Sequence, residues 1–578
     1  MKQLFKLLYT SVLLSLVMLS CTEDDVETAD SFVFFSFDQD YLEVSFSSRA
    51  SDNVDAFLWT FGDGDSAFVA NPTHVYDAFG DYTVTLVINQ GELDEAQMQA
   101  TVSVNAPSVG EISSLSIGGE GAAEISAYDA ANERLFVVNN DGESRINIIN
   151  FSEPDSIYVM DSILVSSFGG EVNSVAVGNG QLAAAIEANT ATDPGVVVVW
   201  DLAGDFSATL AEVMVGSLPD MVTFTSDGDH ILCANEGEPN DDYTIDPLGT
   251  VSIISTSGFS ATTVDFSAFN TMEDELEASA FRVFGPGASL AQDVEPEFVA
   301  ISEDDTKAYV SLQENNGVAI IDIASATVDA IVPLGLKDYS LRGNEIDPSD
   351  EDDEVEFRAV NAFGMYQPDA LASYNVGGTN YIVSANEGDA REYEGTPGFI
   401  GEDRVANATL DALAFSNASS LQRDDNLGRL KYTITNGDLD DDDDLDQLWT
   451  YGARSFSIWN GETGELVWDS GNQLEVQAEA LGLYDDGRSD DKGVEPEGVA
   501  LGTIDGMIYA FIGLERADAV AVYDVTNPQA PVYIRMLETG DAPEGLVFID
   551  AADSPSGSPL LVVSSENDGT IKVFEAAF

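Results

Sequence analysis

A proline, then an acid, then alternating apolar residues recurs along this chain: PDMVTFT from Pro219, PEFVAIS from Pro296, PDALASY from Pro368, PEGVALG from Pro496 and PEGLVFI from Pro543. A unit reused at spacings of tens of residues is one that cannot bury its apolar face alone and must stack on its neighbours. Aligned on this signature, the chain contains seven units, opening near Glu124, Asn173, Asp220, Glu297, Asp369, Glu497 and Glu544. Each continues with a turn and a second apolar strand (RLFVVNN, HILCANEG, KAYVSLQEN, MIYAFIGLE). A third strand follows (INIINF, VVVVWDL, VAIIDI, AVAVYDV), and in most units a fourth, more polar one. Four short antiparallel strands repeated in this way predict an all-β fold, a seven-bladed β-propeller over residues 111–578. The last unit has no fourth strand of its own. ISSLSIG, residues 112–118, is expected to supply it and close the ring, which removes an exposed sheet edge. Residues 267–292 and 335–366 intervene between units. Residues 388–450 form a long insertion, with helical pieces expected around Ala406 to Ser420, and insertions of this length commonly build a functional face.

The repeat also places charge. In an antiparallel meander the start of the first strand and the end of the second lie at the same end of the sheet. The opening acids Asp220, Glu297, Asp369, Glu497 and Glu544 are therefore expected to share one face with Glu187, Glu236, Glu314, Glu387, Glu515 and Glu566, which close second strands. Crowded carboxylates are costly unless cations or hydrogen bonds compensate them. Two readings stay open: each acid caps backbone N–H groups at a blade turn, or the set holds cations. Carboxylate oxygens in number select hard ions such as Ca²⁺. With only His74 and His230 in the chain a zinc site is not indicated, and no pattern suggests haem or a nucleotide. A second Ca²⁺ candidate is GDLDDDDDLD, where Asp438, Asp440, Asp442 and Asp446 take positions 1, 3, 5 and 9 of a calcium loop. Asp443 stands where an EF-hand needs glycine and Trp449 where it needs glutamate, so this is not an EF-hand. NEGEPNDDYTID and RSDDKGVEPEG are weaker acidic stretches of the same kind.

Composition narrows the partners. Lys+Arg number 21 against 104 Asp+Glu, a formal net charge of -83, which repels nucleic acid and anionic lipid and attracts cations. Arg391, Arg429, Arg454, Arg488, Lys492 and Arg516 fall inside the most distinctive segments. They are expected either to pair with nearby acids or, for Arg391, Arg454 and Arg488, to grip an anion such as phosphate beside bound metal.

At the N-terminus, Lys2 and Lys6 precede the apolar run LLYTSVLLSLVML, which Ser20 and Cys21 close. This resembles a lipoprotein signal peptide over residues 1–21, with Cys21 as the lipidated residue and 22–30 as an acidic tether. An ordinary signal peptide with a chance cysteine is the alternative. TEDD directly after Cys21 resembles the acidic tag that sends some lipoproteins to the cell surface, so the expected location is an outer-membrane lipoprotein exported to the surface and held by lipid alone. Cys233, the other cysteine, then has no disulfide partner.

Residues 31–105 read as short strands with turn residues between them, a small Ig-like sandwich. WTFGDG from Trp59 and NPTHVYDAFGDYTVTLVI resemble the two signatures of the PKD domain. Further on, PDMVTFTSDGDHILCANEGEPNDDYTIDPLGTVSII, QDVEPEFVAISEDDTKAYVSLQENN, YIVSANEGDAREY, NLGRLK, GARSFSIW and RSDDKGVEPEGV resemble the choice-of-anchor I family, in that family's order. The resemblance implies a propeller at a cell surface, and it extends to propellers described as alkaline-phosphatase-like or phytase-like esterases. Two functions follow. One is a monomeric, calcium-binding surface protein that contacts matrix, polysaccharide or protein. The other is a calcium-dependent phosphoesterase whose Arg391, Arg454 or Arg488 clamps the ester.

Overall fold

A computed structural model describes residues 32–577 apart from 41, 52–53, 93–94, 105–107, 353, 394 and 397. The signal-peptide, Cys21 and acidic-tether expectations lie outside the described residues. The chain divides into two compact units, residues 1–105 and 106–578.

The first unit is a pair of sheets. One holds strands Val33–Asp40, Glu43–Ala50 and Thr73–Val75, and the other Ser66–Ala67, Phe57–Thr60, Gly80–Ile88 and Ala96–Val104. Alternation along the strands sends Phe46, Trp59, Phe61, Val84 and Leu86 inward. The Trp59 indole, fully buried, donates to the Val69 carbonyl at 3.0 Å. Gly62 has φ +92°, and a Cβ there would meet the Thr83 backbone nitrogen at 2.8 Å, so this position in the GDG turn has no room for a side chain. His74 stacks on Phe61 and lies 2.6 Å from Asp63, a structural position.

The second unit contains seven four-stranded antiparallel sheets among the described residues, hereafter blades 1 to 7. Their innermost strands are Ser126–Asp129, Val172–Gly178, Pro219–Phe224, Pro296–Ile301, Leu371–Val376, Pro496–Ile504 and Pro543–Ile549. Each touches the next, and the last touches the first, so the sheets form a closed ring. Closure follows the expected route, with the early strand running from Ser108 to Ser116 rather than over 112–118. It pairs with Thr570–Ala577 as the outermost strand of blade 7. Cores lie between neighbouring blades. Between blades 3 and 4, for example, Leu232, Val251, Ile253, Val299, Val310 and Ile321 pack together.

The proline signature has a backbone cause. In four blades the residue before the proline is left-handed: Leu218 (φ 47°), Gln367 (φ 41°), Glu495 (φ 48°) and Ala542 (φ 58°). In three of them its carbonyl accepts the N–H of the acid that closes the second strand: Glu236 to Leu218 at 3.0 Å, Glu515 to Glu495 at 2.9 Å and Glu566 to Ala542 at 2.9 Å. In blade 5 the donor is Gly388, one residue later, at 3.1 Å. Ladder register then shifts between the proline and the continuing strand in blades 3, 4, 6 and 7, the signature of a bulge that re-aims a side chain.

The insertions join one another. Strand Phe363–Met365 pairs with Leu336–Asp338 on one side and with Trp449–Thr450 on the other. Tyr339, Ile346, Val360, Val405, Phe415, Leu427, Leu430 and Leu448 form a core of their own. Helical structure between 405 and 421 is limited to Val405–Asn407 and Ala418–Leu421. Arg282, from the 267–292 segment and 1% exposed, donates to Thr433 Oγ1 at 2.9 Å and Asn436 Oδ1 at 3.0 Å, tying a third segment to the same body. No helix among the described residues is long and apolar enough to cross a membrane.

Ring closure by residues 108–116 gives a direct comparison. A chain beginning at residue 106 is expected to melt cooperatively at the temperature of this unit in the full chain. One beginning at 118 exposes the last blade's edge and should aggregate or lose the cooperative transition, as read by calorimetry and light scattering.

Candidate functional site

The left-handed turn, the proline and the bulge bring the two sets of acids to one end of the propeller. Inner strands of all seven blades line a cavity of about 330 Å³ on the axis, into which Asp220, Asp369 and Glu544 project. Glu297 and Glu497 complete the opening set, and both remain electrostatically coupled to Asp369. Burial pushes the Asp220 carboxyl up to about 7. Burial, and then repulsion from their neighbours, holds Glu297, Asp369, Glu497 and Glu544 well above the usual carboxylate range. Glu124, the opening acid of blade 1, is raised to about 8 by burial, against a hydrogen bond from Asn140. One oxygen of each of Glu297, Glu497 and Glu544 is buried without a hydrogen-bond partner. Backbone capping, one of the two readings open from sequence, therefore leaves part of this set unsatisfied.

The closing acids behave unevenly. Glu387 lies at the centre. Its Oε1 takes the Lys492 ammonium at 2.5 Å and its Oε2 accepts from the Gln313 amide at 3.0 Å. Asp369, Glu387 and Glu497 each bring one oxygen within 4.8 Å of the others, and so do Glu387, Glu495 and Glu515. The second trio is already served by cations. Glu495, fully buried, receives Arg488 at 2.5 Å, Lys492 at 3.3 Å and Arg516 at 3.4 Å. Burial alone would raise its carboxyl, but Lys492, Arg488 and Arg516 outweigh that and hold it at about 2. Glu515, with burial and the repulsion of Glu387 and Glu495 against it, rises to about 8. Glu236 is raised well above its ordinary value by burial and by Asp220. Glu566 and Glu187 are raised chiefly by burial, and Glu187 also sends an oxygen to the Glu171 N–H at 3.4 Å. Glu314 is 5% exposed, with one oxygen unpartnered.

Beside this ring the insertions wall a cavity of about 340 Å³ lined by Glu238, Glu314, Asp389, Arg391, Tyr393, Lys431, Arg488 and Lys492, among others. Of the three arginines singled out from sequence, Arg391 and Arg488 line it and Arg454 does not. Arg391 is gripped by Asp293 at 2.8 Å and Glu295 at 3.0 Å. Arg454, 1% exposed and left-handed at φ 54°, is enclosed by Glu475 at 3.3 Å and the carbonyls of Asp347, Ser489 and Asp491. Arg429 pairs with Asp350 at 2.8 Å. The pairing expectation describes all of them.

Sequence reasoning missed Asp293, Glu295 and Glu495, the acids that hold the basic side chains. A signal was present. VEPEF and VEPEG carry a glutamate on each side of the proline, and the two residues do different work: the one before binds Arg or Lys, and the one after joins the ring.

The Asp-rich loop stands apart from both cavities. Asp438 accepts from the N–H groups of Asp440, Asp441, Asp442 and Asp443 at 2.8–3.4 Å, and Asp446 accepts from Leu439 at 2.8 Å. Asp441 (φ 60°) and Asp443 (φ 67°) adopt the left-handed conformation for which glycine is the usual choice. Oxygens of Asp438, Asp440 and Asp442 lie within 4.8 Å of one another.

Breaking a buried pair by removing one partner strands a charge and costs about 3–5 kcal/mol. Arg454→Met is therefore expected to destabilise the propeller by roughly that amount, and Arg454→Met combined with Glu475→Gln should recover most of it, as measured by denaturant unfolding.

The choice-of-anchor I domain matches residues 124–528 and the PKD domain residues 37–105. Gigasin-3a of Magallana gigas is 29% identical over 189 residues, 27% of this chain and 66% of that protein. The mesenchyme-specific cell surface glycoprotein of Strongylocentrotus purpuratus is 24% identical over 339 residues, 50% of this chain and 43% of that protein. The chain thus spans just under two thirds of one relative and less than half of the other. Among solved structures, the Cps50 (Swd1) β-propeller domain of Myceliophteria thermophila superposes with a TM-score of 0.40 at 9% identity, covering 81% of this chain and 99% of that one. With a family match over more than two thirds of its length, the chain belongs to the choice-of-anchor I family, with a PKD domain ahead of the propeller.

Proposed function

We propose that this is a surface-displayed, lipid-anchored protein that binds Ca²⁺ at the acidic end of its propeller and uses that end to contact matrix or partner molecules. The observation that carries the reading is the Asp369–Glu387–Glu497 trio. Three carboxylate oxygens converge within 4.8 Å, and Glu497 keeps a buried oxygen without a hydrogen bond. Hard-cation sites are built from such oxygens, and a divalent ion would offset the mutual repulsion among these acids. Asp438, Asp440 and Asp442 offer a second, more exposed position. The name of the sea-urchin relative supports surface display, and a lipid anchor at Cys21 accords with the signal-peptide pattern.

The phosphoesterase reading is the weaker one. Arg391 and Arg488 are each held by two carboxylates, and Arg454 is enclosed. An arginine that clamps phosphate must have donors to spare. Hydrolysis of p-nitrophenyl phosphate with Ca²⁺ is expected to stay at background. Chelator-sensitive activity that Arg391→Ala removes would reverse this preference.

The ring sets the pH test. Its acids have folded pKa values above their unfolded ones, so the folded state binds more protons from about pH 4 upward. That stability is complete at low pH and is lost as pH rises through about 7 to 8, the values for Asp220, Glu124 and Glu515. In chelator the melting temperature is expected to fall between pH 6 and 8.5. Millimolar Ca²⁺ should suppress that fall, and Glu497→Gln should weaken the rescue. A calorimetric titration showing no Ca²⁺ uptake, with melts indifferent to chelator, would end the calcium reading.

A further inference from the structure

The cavity beside the ring holds a charge imbalance that the calcium reading does not use. Its four basic groups are all engaged. Arg391 is held by Asp293 and Glu295, and Lys431 by Glu402 at 2.7 Å and Asp491 at 3.2 Å. Arg488 is held by Glu495 and Asp491, and Lys492 by Glu387 and Glu495. Glu238, Glu314 and Asp389 line the same space and have no ion-pair partner in it among the described residues.

Glu314 is the most telling of them. It lies in the turn after the second strand of blade 4, Lys307–Leu312, and its main chain is fixed where Arg282 Nη1 donates to its carbonyl at 2.9 Å. The side chain is 5% exposed, and Oε2 is buried with no hydrogen-bond donor. A carboxylate so placed is costly unless a donor meets it. Repulsion points the same way: after burial, Glu314 is the main influence raising Glu238 to about 7, and it also helps raise Asp389 to about 6.

A single metal ion does not suit this space. The trios of oxygens close enough to share an ion lie at Asp369, Glu387 and Glu497, at Glu387, Glu495 and Glu515, and in the Asp438 loop. None among the described residues combines Glu238, Glu314 and Asp389. Acids spread around a cavity suit instead a cation with several diverging N–H donors. Tyr393 and Tyr451 supply aromatic wall, which favours such a group further. At about 340 Å³ the space is of the order of a small-ligand pocket.

We propose that this cavity binds an organic cation, a guanidinium or primary ammonium group on an extended chain, with Glu314 as the buried counter-charge and Glu238 and Asp389 as flanking acceptors. The same head group occurs on a free polyamine and on an arginine or lysine side chain of a partner protein, and the chemistry of the pocket is common to both.

The test titrates the full-length protein calorimetrically at pH 8 in chelator, which separates it from the calcium reading. The probes are agmatine and the peptide acetyl-Gly-Arg-Gly-amide. Binding is expected for at least one probe: agmatine alone identifies a free amine as the source, and the peptide alone identifies a protein side chain. Glu314→Gln, which keeps the shape and removes the charge, should weaken binding about tenfold or more, the equivalent of one charge-assisted hydrogen bond. Its melting temperature should not fall. Glu238→Gln, on the same wall, should weaken binding less and carries the test if the first variant does not fold. Absence of binding by both probes at millimolar concentration overturns the proposal, as does undiminished binding by the variants.

Discussion

The acidic end of this propeller depends on one backbone contact: the carbonyl of a left-handed residue before a proline accepting the N–H at the end of the second strand. Leu218, Gln367, Glu495 and Ala542 all occupy that position. A non-glycine residue at positive φ costs on the order of 1–2 kcal/mol, so a device used four times needs a return. The return is positional. The turn brings the end of the second strand against the start of the first, and the bulge after the proline sends the next side chain toward the axis. In those four blades two carboxylates then share one end of the ring.

Burying so many like charges produces two different solutions in adjacent places. Around Glu495 three basic side chains converge on a single carboxylate, which stays ionised down to about pH 2. Around Glu297, Glu497 and Glu544 no basic group arrives among the described residues, and burial with mutual repulsion holds the carboxylates well above their ordinary range. The chain has 21 Lys and Arg for 104 acids, so basic residues cannot neutralise the whole set. They are concentrated where the insertions meet the blades, with Lys492 linking Glu495 to Glu387. The ring proper is left to protons or to cations from outside.

Much of this was legible in the sequence because a propeller repeats. Strand count, ring closure by the early strand and the shared face of the acids follow from period and alternation, which local packing enforces blade by blade. The side chains that hold the arginines were not legible, because their pairing depends on insertions that do not repeat. Arg391 and Glu295 are 96 residues apart, and only the fold of the 388–450 segment brings them together. Glu495 was hidden differently: it sits beside a repeat position, in RSDDKGVEPEG, and reads as one more acid in an acidic stretch. The left-handed turn distinguishes it from Glu497, and sequence periodicity carries no signal for φ. The Asp-rich loop was legible in part. Its missing glycine ruled out an EF-hand, yet Asp441 and Asp443 adopt the left-handed conformation, as aspartate does more readily than most residues.

The structural reading, in which hydrogen bonds and ion pairs satisfy the acids, does not reach them evenly. Asp438 is saturated by four backbone donors and Glu387 by a lysine and an amide, so each would keep a role with no ion bound. The unpartnered oxygens of Glu297, Glu497 and Glu544 contribute nothing to blade cohesion as they stand. A repeat that served only to stitch turns together would put hydrogen-bond donors opposite these oxygens, as the loop within the insertion does opposite Asp438. Retaining buried carboxylates without donors at three blade entries has a stability cost near neutral pH. Selection for stability alone would remove that cost by Glu→Gln or Glu→Leu substitution, and recognition of a cation at this end gives a physical reason for bearing it.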